Sequence, residues 1–307
     1  MDDLSAGDTL DQYRVAEVIA RGGMATIYRA DDDGRAVVLK VPHVQFESDV
    51  VFYERFRREE AIGQRLDHPA IVKVYTPRDK SRMYMAMELV EGRSLRSLMT
   101  APLPREYALE LAGELCAALA YMHENGVVHR DLKPENIIVG EAGRPKIIDF
   151  GLALAKAARR VTWTRLSETF GTPDYIAPER LGGRRGDARS DVYALGVMLY
   201  EMLTGKLPYE AEHPQAILRA KTSEPPRPPS YHVPDFDLAL ERIILRAIAR
   251  EPRDRYPSAR AMLEDLRDPA AAATPAPARH PPRRFLVPLI LALVLAGLSS
   301  LIWISAR

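Results

Sequence analysis

Cysteine is all but missing from this 307-residue chain. Cys116 stands alone, which excludes an internal disulfide and suits a reducing compartment. It lies beside Leu115 and Leu119 in a helical pattern, so a buried structural thiol is expected rather than a reactive one. A surplus of charge is missing too: Lys and Arg number 43 against 42 Asp and Glu, a net charge of +1. That balance gives no reason to expect a nucleic-acid partner. The start, Met1-Asp2-Asp3-Leu4-Ser5, has neither the basic nor the apolar region of a signal peptide. His43, His123, His213 and His232 show no metal-ligand spacing and read as surface or packing residues. What is present is ordinary for a folded protein, 47% apolar and 28% charged, in a chain long enough for two lobes or domains.

Val128-His129-Arg130-Asp131-Leu132-Lys133-Pro134-Glu135-Asn136 packs an acid, a base and an amide into one short stretch. Apolar Val127-Val128 before it and Ile137-Ile138-Val139 after it predict short buried strands, so the polar residues between are held rather than free. Asp131 is then placed to accept a proton, Lys133 to face an anion, and Asn136 to offer an amide oxygen to a hard cation. Residues 137–139 and 146–148 read as the arms of a hairpin around Gly140-Glu141-Ala142-Gly143, which returns Asp149 to the end where Asn136 sits. Two oxygen ligands at adjacent strand ends suit Mg²⁺.

Upstream, residues 13–18, 26–30 and 37–41 predict a β-meander. Its first loop, Ala20-Arg21-Gly22-Gly23-Met24-Ala25, carries two glycines at the tip, where main-chain N–H groups can approach phosphates. Lys40 ends the Val37-Val38-Leu39-Lys40 run on the third strand. In the helix that follows, over residues 50–66, Phe52, Phe56, Glu59, Gly63 and Leu66 share one face. Glu59 is thus a carboxylate inside an apolar stripe that needs a buried partner, and Lys40 is the obvious one. Glu60, about 100° round the helix, is expected to be solvated. Residues 83–89 predict another strand. From 105 to 124, Ala108, Leu111, Ala112, Leu115, Leu119 and Met122 predict a long helix stopped by Asn125-Gly126.

His-Arg-Asp-Leu-Lys-Pro-Glu-Asn followed by Asp-Phe-Gly, then Gly171-Thr172-Pro173 leading to Ala177-Pro178-Glu179, resembles the catalytic core of eukaryotic-type protein kinases. Residues 13–266 resemble a serine/threonine kinase domain of the bacterial membrane-anchored kind. The resemblance implies an α+β, bilobal fold: a small β-rich lobe at 13–87, a hinge at 88–92 and a larger, mostly helical lobe at 93–266. It implies ATP as phosphoryl donor, with Mg²⁺, or Mn²⁺ as a substitute, held by Asn136 and Asp149. Asp131 would orient the acceptor and take its proton, Lys133 would offset charge on the transferring group, and Lys40, fixed by Glu59, would hold the phosphates. Residues 20–25 would cover the phosphates, although the family's first and third glycines are here Ala20 and Ala25. Met87 would limit the pocket behind adenine, and the backbone of Glu88 and Val90 would bond the base. Thr172 would bridge Asp131 and Lys133, favouring serine and threonine acceptors in protein substrates. Asp191, on charge alone a helix-capping acid, would also brace the catalytic loop, and Arg255 would pair with Glu179.

Residues 152–172 have no clean period and resemble an activation loop, with Thr162 and Thr164 the first phosphorylation candidates, Ser167 and Thr169 behind them, and Arg130 the phosphate's receiver. Residues 1–12 read as a leader and 267–284 as an Ala/Pro-rich linker. Residues 285–306 carry no charge and are long enough for a transmembrane helix across a core of roughly 30 Å. Arg279, Arg283 and Arg284 precede them and only Arg307 follows, which predicts a single-pass protein of the cell membrane with its kinase domain in the cytoplasm and no sensor domain outside. A small-residue row, Ala292, Ala296 and Ser300, gives a homodimer a seam. The altered glycine loop prompts a second reading, a weak or inactive nucleotide-binding scaffold. A third, a small-molecule phosphotransferase, would not need the segment from Gly171 to Glu179.

Overall fold

The computed structural model describes residues 4–149, 154–155, 173–181, 183–211 and 213–272. Thr162, Thr164, Ser167, Thr169, Thr172, Phe150-Gly151 and residues 285–306 lie outside the described residues.

The first lobe is a six-stranded antiparallel sheet of β1 (Thr9–Leu10), β2 (Tyr13–Arg21), β3 (Ala25–Asp32), β4 (Arg35–Pro42), β5 (Val74–Tyr75) and β6 (Met85–Glu88), in the order β1-β2-β3-β4-β6-β5. Alternation along the strands sends Tyr13, Val15, Tyr28, Ala30, Val37, Leu39, Val41, Tyr84 and Ala86 to one buried cluster. Two helices follow β4: α1 (Val44–Glu47) and α2 (Val50–Arg65). Asp49 caps α2, accepting hydrogen bonds from the amides of Val51 and Phe52 at 2.9 and 3.1 Å. The α2 face bearing Phe56, Glu59, Ile62 and Gly63 is buried, so the apolar stripe does carry a carboxylate inward.

The second lobe begins with β7 (Gly92–Ser94) and α3 (Leu95–Leu98), then α4 (Arg105–Glu124), β8 (Val127–Val128), β9 (Ile137–Gly140), β10 (Pro145–Ile147) and β11 (Leu154–Ala155). It continues through α5 (Pro178–Leu181), α6 (Ala188–Thr204), α7 (Pro214–Ser223), α8 (Leu238–Ala247), α9 (Ala259–Arg267) and α10 (Pro269–Ala272). Helix α6 is apolar nearly all round because it is the centre of the lobe, packed against α4, α8 and α9. Its approach to α8 is close: a methyl added at Gly196 would stand 2.7 Å from the Ala247 Cβ. It ends where Gly205 takes a left-handed φ of 66° and donates to the Glu201 carbonyl. One core runs from Phe56 and Met85 in the first lobe to Leu115, Leu199 and Ile244 in the second. Backbone bonds add to the join: Val72 N–H donates to the Ile147 carbonyl at 2.9 Å, and Ile147 N–H to that of Ala70 at 3.0 Å.

Four sequence expectations need correction. The leader is not separate, since β1 pairs with β2 and Leu10 is buried in the sheet's core. The linker is helical at its start, where α10 sets Ala272 against the main core. Glu60 is not solvated: its side chain is 15% exposed and pairs with Lys80, whose ammonium is also bonded to the Tyr84 carbonyl at 2.7 Å. The cap of α6 is Asp187, which accepts from the Arg189 amide, and Asp191 lies one turn in, where its carboxylate is free for another task. Among the described residues no helix is long and apolar enough to cross a membrane.

Candidate active site

Strand geometry brings the site's acids together. β9 and β10 pair with Ile137 opposite Ile147, and the Ile148 amide bonds the Asn136 carbonyl at 3.0 Å, so Asp149 emerges beside Asn136. Across the cleft, β4 delivers Lys40 and α2 delivers Glu59. Lys40 Nζ donates to Glu59 Oε1 at 2.7 Å and to Asp149 Oδ1 at 3.4 Å. One lysine thus ties the sheet, the helix and the second lobe. Burial alone would pull the Lys40 ammonium's pKa down, but the Asp149 and Glu59 carboxylates outweigh it and drive it upward. Burial pushes the Glu59 carboxyl up, with Lys40 opposing that shift.

The stretch 128–136 crosses between β8 and β9 as an irregular loop ending in a 3₁₀ turn, Pro134–Asn136. Arg130 adopts a φ of 69°, uncommon for a residue with a Cβ. The strain is held from below: buried Asp191 accepts from the His129 and Arg130 amides, each at 2.8 Å, and Arg180 donates to the Arg130 carbonyl. His123 Nε2 lies 2.8 Å from the same Asp191 carboxylate, so this histidine belongs to the loop's support and is not an ordinary packing residue. Burial would raise the Asp191 carboxyl, and the hydrogen bond and charge from His123 bring it below the usual range. On this base, Lys133 Nζ sits 3.0 Å from Asp131 Oδ2, and Asn136 Nδ2 donates to the Asp131 carbonyl at 2.9 Å. With its amide nitrogen so engaged, Asn136 keeps its oxygen for another partner.

The donor set fits a hard cation shared with a ligand. Asn136 and Asp149 supply oxygens, the type Mg²⁺ takes, and among the described residues no group of three or more His, Cys, Asp or Glu side chains closes a metal cage by itself. The rest of the coordination would come from phosphate oxygens and water.

Above this centre, β2 and β3 meet at Gly22-Gly23, where the Gly22 amide donates to the Ala25 carbonyl at 2.9 Å. Ala20 pairs with Ile27 just past a register shift between Val18 and Ala20, and Ala25 is buried and pairs with Pro42 in regular register. A Cβ added at Gly23 would meet no protein atom, so the space over the tip is open. Arg21 is exposed and Met24 half-buried beside the same turn. On β6, Met87 is buried against Val38 and Val74 in the sheet. The Glu88 amide is already bonded to the Lys73 carbonyl at 2.8 Å, and its carboxylate to Lys146 Nζ at 2.8 Å. Val90 is half-buried beside them.

A second group of residues adjoins the centre. A cleft of about 580 Å³ is lined by Asp131, Lys133, Arg96, Glu135, Tyr175 and Glu201, among others. Arg96 bridges Glu135 and Glu201, each at 2.8 Å, and contacts the Tyr175 hydroxyl. Nothing in spacing joins these four, since the pairs are separated by 39, 105 and 79 residues. The expected pair of Arg255 and Glu179 is present at 2.9 and 2.7 Å, with the Arg255 side chain wholly buried. Cys116 is fully buried in the main core, and burial pushes its thiol well up.

A family model described as the protein kinase domain matches residues 13–266. The chain is 38% identical over 269 residues to a probable serine/threonine-protein kinase of Corynebacterium efficiens, an alignment covering 83% of this chain and 41% of that protein. It is 37% identical over 265 residues to the serine/threonine-protein kinase PknB of Mycobacterium leprae and to that of Mycobacterium tuberculosis, covering 83% of this chain and 42% of each relative. This chain therefore spans less than half the length of the curated relatives it matches.

Proposed function

The chain belongs to the protein kinase family, and from that premise we propose that it transfers the γ-phosphoryl group of ATP to serine and threonine hydroxyls of proteins. The observation that carries this reading is the convergence of Lys40, Glu59 and Asp149 at 2.7 and 3.4 Å, opposite a loop that sets Lys133 3.0 Å from Asp131. The acceptor hydroxyl loses its proton to the Asp131 carboxylate as its oxygen bonds to phosphorus and the bond from phosphorus to the β-bridging oxygen breaks, releasing ADP. Lys133 offsets negative charge on the group in transfer, and Lys40 orients the donor's phosphates. Mg²⁺, or Mn²⁺, held through Asn136 and Asp149, would neutralise phosphate charge. Residues 20–25 cover the phosphates, Gly22-Gly23 allowing close main-chain approach. Met87 bounds the adenine pocket; the Glu88 amide is spent on Lys73, so its carbonyl, with the Val90 backbone, is left to read the base.

The acceptors are side chains of other proteins and of the chain's own segment 152–172, with Thr162 and Thr164 first, then Ser167 and Thr169. Residues 285–306 anchor the protein in the cell membrane with the kinase domain cytoplasmic, supported by their uncharged run and by the arginines at 279, 283 and 284. A homodimer would use the Ala292, Ala296 and Ser300 row. Full-length protein given radiolabelled ATP and Mg²⁺ should place label on serine and threonine and leave the labelled chain in the membrane fraction. Label on tyrosine alone, or on a small molecule alone, would overturn the substrate class. The scaffold reading predicts nucleotide binding with no transfer, and the same experiment decides it.

A further inference from the structure

Among the described residues, Lys221 is a deeply buried ionisable group that the proposed transfer leaves unused. It stands near the end of α7 and is 1% exposed. Burying an ammonium carries a large desolvation penalty before any partner is counted, and an apolar side chain of equal volume would often be neutral or better for stability. Two of the Lys221 contacts fall on one short segment. Lys221 Nζ donates to the main-chain carbonyls of Asp174 and, at 3.0 Å, Ile176, and it lies 5.2 Å from the centroid of the Tyr193 ring. Among the described residues, the charged groups acting on it are the Asp174 carboxylate, itself 7% exposed, and the Arg255 guanidinium.

That segment matters to the cleft. Asp174, Tyr175 and Ile176 line it beside Asp131 and Lys133, and the Tyr175 hydroxyl meets Arg96 and Glu201 on its far side. Peptide carbonyls buried without a donor keep their full desolvation penalty and would seek other geometry. We infer that Lys221 is a positioning residue, holding from α7 the wall of the cleft that receives the protein substrate. The inference rests on the kinase reading, and it separates the two substrates: α7 grips the acceptor's side of the site, and Lys40 the nucleotide's side.

Burial draws the Lys221 amine down from 10.5 to about 7, Asp174 opposing and Arg255 adding to the fall. The unfolded chain therefore holds this proton to higher pH than the folded one, and the group's contribution to stability rises between those two values. The grip itself weakens as the folded amine loses its proton around pH 7, because a neutral amine donates less strongly than an ammonium.

The test uses the full-length protein with wild type, K221M, which keeps the stem and removes the donors, and K221Q, which keeps an amide donor. In K221M the KM for a protein substrate should rise roughly ten-fold, the scale of one charge-assisted hydrogen bond, while the KM for ATP stays within about two-fold. K221Q should fall between. The wild-type protein-substrate KM should climb as pH rises from about 6 to about 8.5, and that of K221M should stay flat. An unchanged protein-substrate KM, or equal rises in both KM values with a lowered melting temperature, would reduce Lys221 to a packing residue. Should K221M fail to fold, K221Q and the wild-type pH profile decide, and a flat wild-type profile overturns the inference. A wild type that transfers nothing would instead sink the kinase reading.

Discussion

Lys40 and Glu59 show how one residue pair can be argued from a pattern. A carboxylate at an apolar position of a helix demands a cation, and the strand before it carries one; the pair closes at 2.7 Å. Arg96, Glu135, Tyr175 and Glu201 could not be found this way, because each reads as an ordinary surface or packing residue until α3, the catalytic loop and α6 are folded together. His123 was hidden for the same reason, its meaning lying 68 residues away at Asp191. At this scale the account predicts that Glu59→Gln keeps the fold, since Lys40 retains Asp149, but raises the KM for ATP by roughly ten-fold through loss of a charge-assisted hydrogen bond. Initial rates at varied ATP, with a melting curve beside them, check it; an unchanged KM for ATP contradicts the role given to the pair.

Elements with a strong local signal were legible nearly to the residue. Helix α4 runs from Arg105 to Glu124 because its apolar period is unbroken and Asn125-Gly126 ends it, Gly126 taking a left-handed φ of 76°. The β9–β10 hairpin was legible through its glycine-flanked turn. The short strand β1 was not, having only two residues and no period, and its place comes from pairing with β2. The β2–β3 hairpin yields a prediction of its own. Because Ala25 is buried in register with Pro42, Ala25→Gly restores the family's glycine at a cost of about 0.5–1 kcal/mol in stability without improving ATP affinity. Chemical denaturation together with nucleotide titration tests this, and a clear gain in affinity would show that the methyl obstructs the phosphates.

At the scale of the molecule, one core and the backbone bonds between Ala70–Val72 and Ile147 make the two lobes a single support for the cleft. The lobes were foreseeable from motif order, whereas the packing that makes α6 their axis was not, since a helix apolar on every side has no face to point with. In the proposed transfer, this support places Asp131 against an acceptor hydroxyl. The most direct measurement compares the rate of γ-phosphoryl transfer to protein by the wild type and by Asp131→Asn, with ATP binding followed in parallel. Asp131→Asn should lose roughly 10²–10⁴-fold in rate, the range for a general base, with ATP affinity and melting temperature nearly unchanged. Equal rates in the two proteins would contradict it.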